Sequence, residues 1–391
     1  MKWQSGMTIV ELMVSLAITL LVVVAATAGY IKIITTYKSQ SAISANFMSN
    51  LTGFDLMRYD IEMAGYGLPS AISGFTYTEA AAQSSYSGYT PQYDPSSLNE
   101  ASLGNANGPP HALVLGGGAT GSTLSGNTPA VLAIKSSVAS INNSSGHFGV
   151  ISTALETSAT DLVTGDHYIA IDSSGALQQG GAPGVWDNTF NSASPPGALG
   201  SGLVGFLYGL GPSQTNTMPF NRVDYYLDNY NLPSYCAPGT FELYRGTVSQ
   251  TKVSSTQGGL LVAPPSPMID CVEDFQVAFG VDTSGAGIVW QPDLGTENTN
   301  YGHGGSSSIL MLPSDQQKYL REVKVFVIYQ EGRGNVGKTP GFGFSGSLSI
   351  GDLKTSFPAG VHTFTPGAQY TQYRWRVKEI DMKPMNLHSN W

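Results

Sequence analysis

From Leu12 to Ile31 the chain carries no charged residue and no proline, and Gly29 is its only glycine there. About 20 apolar residues let a helix cross a bilayer, so this stretch predicts a membrane-spanning helix over about 12–34. Past it the pattern changes rather than stops. Ile43, Phe47, Leu51, Phe54, Met57 and Ile61 recur at three- and four-residue steps, which places one apolar stripe on a continuing helix. Asn46, Asn50, Arg58 and Asp60 fall off that stripe. Gly53 interrupts it, at about 1 kcal/mol relative to Ala in a helix interior. Gly65, Gly67 and Pro69 predict the stop. The first expectation is therefore one helix over 7–66, apolar all round in its first half and amphipathic in its second.

After Tyr66 the period shortens. Runs of apolar, β-branched and aromatic residues predict strands at 112–115, 130–134, 168–171, 222–227, 241–245 and 272–281, then at 322–329, 348–350 and 372–378. In the last, Tyr373, Trp375 and Val377 alternate with Arg374, Arg376 and Lys378. Gly/Ser/Asn/Pro stretches at 84–110, 116–128 and 173–202 read as long loops or surface insertions. No repeat of fixed period is present. The fold class expected is α+β: a long N-terminal helix packed on a β-rich body over 67–391.

Composition narrows the function. Charged residues are 12% of the chain, about half the usual share. The net charge of −9 and pI near 5.1 argue against non-specific nucleic-acid binding. Between Arg58 and Lys318 the only basic residues are Lys135, Arg222, Arg245 and Lys252. A middle rich in Ser, Thr, Gly, Asn and Gln fits a secreted or surface-exposed protein. Two Cys exclude a Cys-rich zinc module. Six scattered His exclude a His-cluster metalloenzyme unless carboxylates do most of the ligating.

Four features could still carry chemistry. Residues 332–339 fit the G-x-x-x-x-G-K-[ST] phosphate loop, but the glycines and proline that follow oppose the helix such a loop must open. A flexible loop is the better reading. Asp224, Asp228, Asp293 and Glu297 could meet around calcium, although dispersed surface acids are commoner. Arg374, Arg376 and Lys378 could track a phosphate backbone, or form a solvated outer face. Tyr77, Tyr86, Tyr89 and Tyr93 could be an adhesive contact, or a loop that tucks aromatics onto the body. No enzyme and no cofactor is expected.

The N-terminus admits three readings. A cleaved secretory signal has Lys2 as its basic end and Ala26-Thr27-Ala28 as a cleavage site, but apolar residues continue to Ile34. A plain transmembrane anchor explains the length and leaves Glu11 without a role, at a few kcal/mol inside a bilayer. The third reading uses Glu11. Gly6-Met7-Thr8-Ile9-Val10-Glu11-Leu12 resembles the class III signal of type IV pilins and pseudopilins. The resemblance implies that prepilin peptidase cuts between Gly6 and Met7, that the new amine is methylated, and that residues 1–6 are a leader. It also implies that Glu11 pairs with the amine of a neighbouring subunit inside an apolar filament core, where either charge alone would be costly. Met7 departs from the Phe usual in that family.

Two further segments extend the resemblance. Arg58 to Gly67 is similar to the end of the first helix in PilW-type minor pilins, and Val272 to Asp282 to a strand of the same proteins. Trp375 to Leu387 matches their last strand and tail more loosely. The family implies a structural subunit of the type IV pilus, at the tip or in the priming complex; the alternatives are a subunit like pseudopilin J of type II secretion, or a tip-located adhesin or DNA-binding module. Its partners would be other minor and major pilins, prepilin peptidase, the inner membrane and the pilus assembly platform. The body would be periplasmic before assembly and extracellular after it. In that setting Cys236 and Cys271 are expected to form a disulfide, the alternative being two free buried thiols.

Overall fold

The structure is a computed structural model. It describes residues 8–387 except 83–88, 118–128, 141, 153, 181–184, 195, 197–203, 212–215, 253–257, 263, 283–284, 286, 292–311, 333, 335–346, 351–361, 366 and 368–369. Helix α1 spans Ile9–Glu62. The strands that follow are β1 (Leu113–Gly117), β2 (Ala130–Ser136), β3 (Phe148–Ile151), β4 (His167–Asp172), β5 (Asn188–Thr189), β6 (Gly205–Gly211) and β7 (Asn221–Asp228). Then come β8 (Phe241–Thr247), β9 (Ser266–Val281), β10 (Val289–Gln291), the short helix α2 (Pro313–Tyr319), β11 (Leu320–Gln330), β12 (Leu348–Ile350), β13 (His362–Phe364) and β14 (Trp375–Met382).

The main sheet has the order β1-β2-β7-β8-β9-β11-β14, antiparallel throughout, with β10 added to β9. A second antiparallel sheet runs β3-β6-β4-β5, and β12 pairs with β13. The fold is thus α+β, with a long N-terminal apolar helix ahead of a β-rich body. One face of the main sheet receives the second half of α1. Phe54, Met57 and Ile61 pack there with Phe275, Val277 and Phe279 of β9 and Val323, Val325 and Val327 of β11. The other face is covered near β2, β7 and β8 by the segment that follows α1, through Tyr89, Tyr93 and Leu98.

The buried face of α1 is rotated from the expected stripe. Leu51 is exposed, whereas Asn50 and Asp60 are buried. At 100° per residue, Asn50 lies within about 20° of Ile61 and Leu51 about 80° away. Asn50 therefore faces the sheet at the point where the body begins. Beyond Glu62, Gly65 and Gly67 take φ of +84° and +66°, conformations open to glycine at little cost, and they turn the chain back over the sheet. The last strand begins at Trp375, three residues later than the expected 372; Tyr373 precedes it and is buried beside Trp375.

Candidate assembly site along the N-terminal helix

The first turn of α1 closes on itself. Glu11 stands three residues after Thr8, the spacing of a capping box. The Thr8 hydroxyl accepts from the Glu11 amide at 3.3 Å, and Glu11 Oε2 accepts from the Thr8 amide at 2.9 Å and its hydroxyl at 3.2 Å. A carboxylate here also lies at the positive end of the helix dipole. Both bonds use Oε2, which leaves Oε1 without a partner among the described residues. Gly6 and Met7 lie outside the described residues.

Ile9–Lys38 is long and apolar enough to cross a membrane, and none of its most apolar 18-residue stretch is buried by the described residues. Ser15, Thr19 and Thr27 bond carbonyls of their own helix at 2.7–2.9 Å, so their hydroxyls need nothing from the surroundings. Such a surface is stable only against lipid or other apolar helices.

The far end of the same helix is locked. Asp60 is 3% exposed. Arg245 grips it with Nε 2.7 Å from Oδ2 and Nη2 3.2 Å from Oδ1, and the Tyr225 hydroxyl donates to Oδ2 at 2.7 Å. Arg245 Nη2 also donates to the Ala139 carbonyl at 2.7 Å. Seven residues earlier, a Cβ on Gly53 would collide with the Met268 carbonyl oxygen of β9. Helix and sheet backbone therefore approach closely at Gly53. The residue pattern does not point to this pairing, because Asp60 lies off the expected stripe.

Three of the four mid-chain cations are buried. Lys135 lies 2.8 Å from Glu79 and 2.6 Å from Glu100, and Arg222 lies 2.8 Å from Asp224. His111 adds a 2.7 Å contact to Glu100. Burial alone would push the Glu100 carboxyl up, but Lys135 and His111 outweigh it and hold that carboxyl well below the usual range. Lys135 of β2, through Glu79 and Glu100, and Arg222 of β7, through Glu79, Asn99 and the Pro95 carbonyl, tie the strands to the segment that follows α1.

The other sequence candidates resolve along the same lines. Asp224 accepts from Arg222 and from the Tyr93 hydroxyl at 2.6 Å; Asp228 accepts from the Tyr89 hydroxyl at 3.0 Å. Both acids are thus held by protein donors, and Asp293 and Glu297 lie outside the described residues. Among the described residues no group of three or more His, Cys, Asp or Glu could hold a metal ion. Tyr89 and Tyr93 are buried and Tyr77 donates to the Gly108 carbonyl, so these three are tucked onto the body; Tyr86 lies outside the described residues. Arg374 and Arg376 converge on Glu331 at 3.7 and 3.2 Å, while Lys378 is exposed. Of 332–339 only Gly332 and Gly334 are described, packed against Ile43 and Tyr373. Cys236 and Cys271 form a disulfide across 35 residues, which by the chain-entropy argument stabilises the body by about 3–4 kcal/mol.

The family described as "Prokaryotic N-terminal methylation motif" matches residues 1–27. The chain carries a prepilin-type signal. Neither a curated protein nor a solved structure matches it. With this signal joined to an exposed apolar helix and a β-rich body, the protein is type IV pilin-like or pseudopilin-like. Such a signal implies interaction with prepilin peptidase and with other pilins, and membrane anchoring before assembly.

Proposed function

We propose that this chain is a structural, non-enzymatic minor pilin of the PilW type, assembled at the tip or in the priming complex of a type IV pilus. The observation that carries the reading is Glu11, standing in the first turn of an apolar helix that the body leaves uncovered. Cleavage between Gly6 and Met7 would create an amine four residues before Glu11. In a filament that amine pairs with Glu11 of a neighbouring subunit, and a Coulomb pair in an apolar medium is favourable only when both partners are present. The Asp60–Arg245 lock fits the same role, because it couples the body rigidly to the helix that assembles. The resemblance of residues 58–67 and 272–282 to PilW-type proteins favours this reading over a pseudopilin J-like subunit. The bulk of a 391-residue chain favours a tip position over every repeat of a thin shaft. After assembly the body is placed outside the cell.

The N-terminal sequence and intact mass of the protein from its native membrane test this. The expected product starts at Met7 with a methylated amine and retains the apolar helix. A start at Gly29, after Ala26-Thr27-Ala28, would overturn it.

A further inference from the structure

Among the described residues three imidazoles face a carboxylate, and one of these also holds a hydroxyl. His167 of β4 stands directly opposite Thr189 of β5 in the antiparallel register. Such cross-strand neighbours have Cβ atoms about 4.5–5.5 Å apart. His167 Nδ1 lies 3.2 and 3.1 Å from the two oxygens of Asp187, and its Nε2 lies 3.3 Å from the Thr189 hydroxyl. The other two pairs differ. His147 lies 2.6 Å from Asp166, but Ser144 donates to Asp166 at 2.7 Å rather than to the ring. His111 lies 2.7 Å from Glu100, and its Nε2 has no partner among the described residues. We propose that Thr189 is an activated hydroxyl that accepts an acyl group from an activated ester. The role in a filament does not enter the argument.

The proton positions follow from the acid. A carboxylate only accepts, so Nδ1 carries the one hydrogen of the neutral imidazole. Nε2 is then an acceptor, and the Thr189 hydroxyl donates to it. Asp187 is fixed in turn, because Oδ1 accepts from the Asn216 side chain at 2.8 Å and Oδ2 from the Asn216 amide at 3.3 Å. A hydroxyl, an imidazole that draws its proton and an acid that orients the imidazole are the parts of an activated nucleophile. Thr189 is exposed. All three residues line a cleft of about 410 Å³, with the exposed Val185 on its wall, so an incoming ester has room beside the hydroxyl.

Attack forms a bond from Thr189 Oγ1 to the acyl carbon and breaks the C–O bond of the donor ester. The hydroxyl proton passes to His167 Nε2 and from there to the departing oxygen. The donor leaves as an alcohol, and the chain gains one acyl ester. The site suits one transfer rather than turnover, because the amides of the adjoining wall are spent. The Asn216 amide is held by Asp187, and the Thr217 amide by the Gln250 carbonyl at 3.1 Å and side chain at 3.2 Å. Neither is free to stabilise an oxyanion, an effect worth about 10²–10³ in rate. The donor must therefore carry a good leaving group, and the threonine ester that forms, which has a poor one, persists.

The test treats the full-length chain in dodecylphosphocholine with p-nitrophenyl acetate and follows each acetylated position by peptide mass spectrometry. Thr189 is expected to react at least about 100-fold faster than the exposed Thr251, the lower end of what a positioned base supplies. Its product is expected to be an ester that hydroxylamine removes. Lys252 at the rim is the competing nucleophile, and its amide resists hydroxylamine. Thr189→Ser is expected to keep the fast reaction and Thr189→Val to lose the ester. His167→Gln is expected to slow acetylation of Thr189 by at least about 100-fold. Because His167 is buried, Tm is measured alongside, and Asp187→Asn, which turns the imidazole to the wrong tautomer, is expected to slow the reaction at least about tenfold at parental Tm. Acetyl groups on Lys252 alone would overturn the proposal. So would a Thr189 rate no faster than that of Thr251, or a parental Thr189 rate in both His167→Gln and Asp187→Asn.

Discussion

The two ends of α1 each carry an acid, and they are treated in opposite ways. Asp60 is buried and held by three bonds from Arg245 and Tyr225. Among the described residues, Glu11 is held only by its own first turn, on a rod that none of them covers. The same contrast holds for glycine. Gly53 is pressed against a β9 carbonyl, and a Cβ on Gly29 would meet nothing within 4 Å. One end of the helix is finished by intramolecular packing. The other is finished only by lipid or by another subunit, which is why a single helix can be both a structural element of the body and an assembly element.

Substitutions at matched positions sharpen this contrast. Removing one partner of a buried pair strands the other charge. Asp60→Ala is therefore expected to lower the stability of the body by about 3–5 kcal/mol in chemical denaturation of the detergent-solubilised chain. Glu11→Ala in the same assay is expected to change it by under about 1 kcal/mol, the scale of a lost cap. Equal losses would mean that the N-terminal turn is also part of the body. Next in size, Gly53→Ala is expected to destabilise by about 1–3 kcal/mol through overpacking, whereas Gly29→Ala is expected to be neutral or to add up to about 1 kcal/mol of helix propensity. Parental stability in Gly53→Ala would break the close approach of helix and sheet.

A smaller effect tests the body alone. The Tyr244 hydroxyl contacts both the Tyr230 carbonyl and Glu242. It has one proton, so it satisfies both only if Glu242 carries its own. Burial accordingly pushes the Glu242 carboxyl up from 4.5 to about 7, against the Tyr244 bond and with Asp270 adding to the rise. A raised carboxyl contributes stability that is complete below pH 4.5 and lost as pH climbs through about 7. Glu242→Gln is expected to flatten that decline in melting temperature. An unchanged slope would show that Glu242 is ionised in the folded protein.

Much of this architecture was legible in the residues, for identifiable reasons. The rod is an unbroken uncharged run, and the strands β7, β8, β9 and β11 are runs rich in β-branched and aromatic residues that the fold largely buries. The rotated face of α1 was not legible, because Asn50 and Asp60 look like solvent residues until their partners, distant in sequence, are placed. The strands β3 and β6 were missed for another reason. Phe148–Ile151 is short and Gly205–Gly211 is glycine-rich, and neither is among the strands expected. Yet a Cβ on Gly209 would strike the Ser144 carbonyl, so that glycine permits close packing rather than flexibility. The count of basic residues says nothing of where Lys135, Arg222 and Arg245 lie, and all three are interior ties. Of the assembly site, Glu11 was legible from its spacing to Gly6. The capping box with Thr8 was written in the same seven residues and went unread.

The central claim is that Glu11 acts between subunits rather than within one. The direct measurement is the amount of Glu11→Ala protein in sheared filaments, relative to its amount in the membrane, in the native host. With an amine left unpaired in an apolar core, the filament fraction is expected to fall by more than about tenfold while the membrane level holds. Parental incorporation of Glu11→Ala would contradict the account.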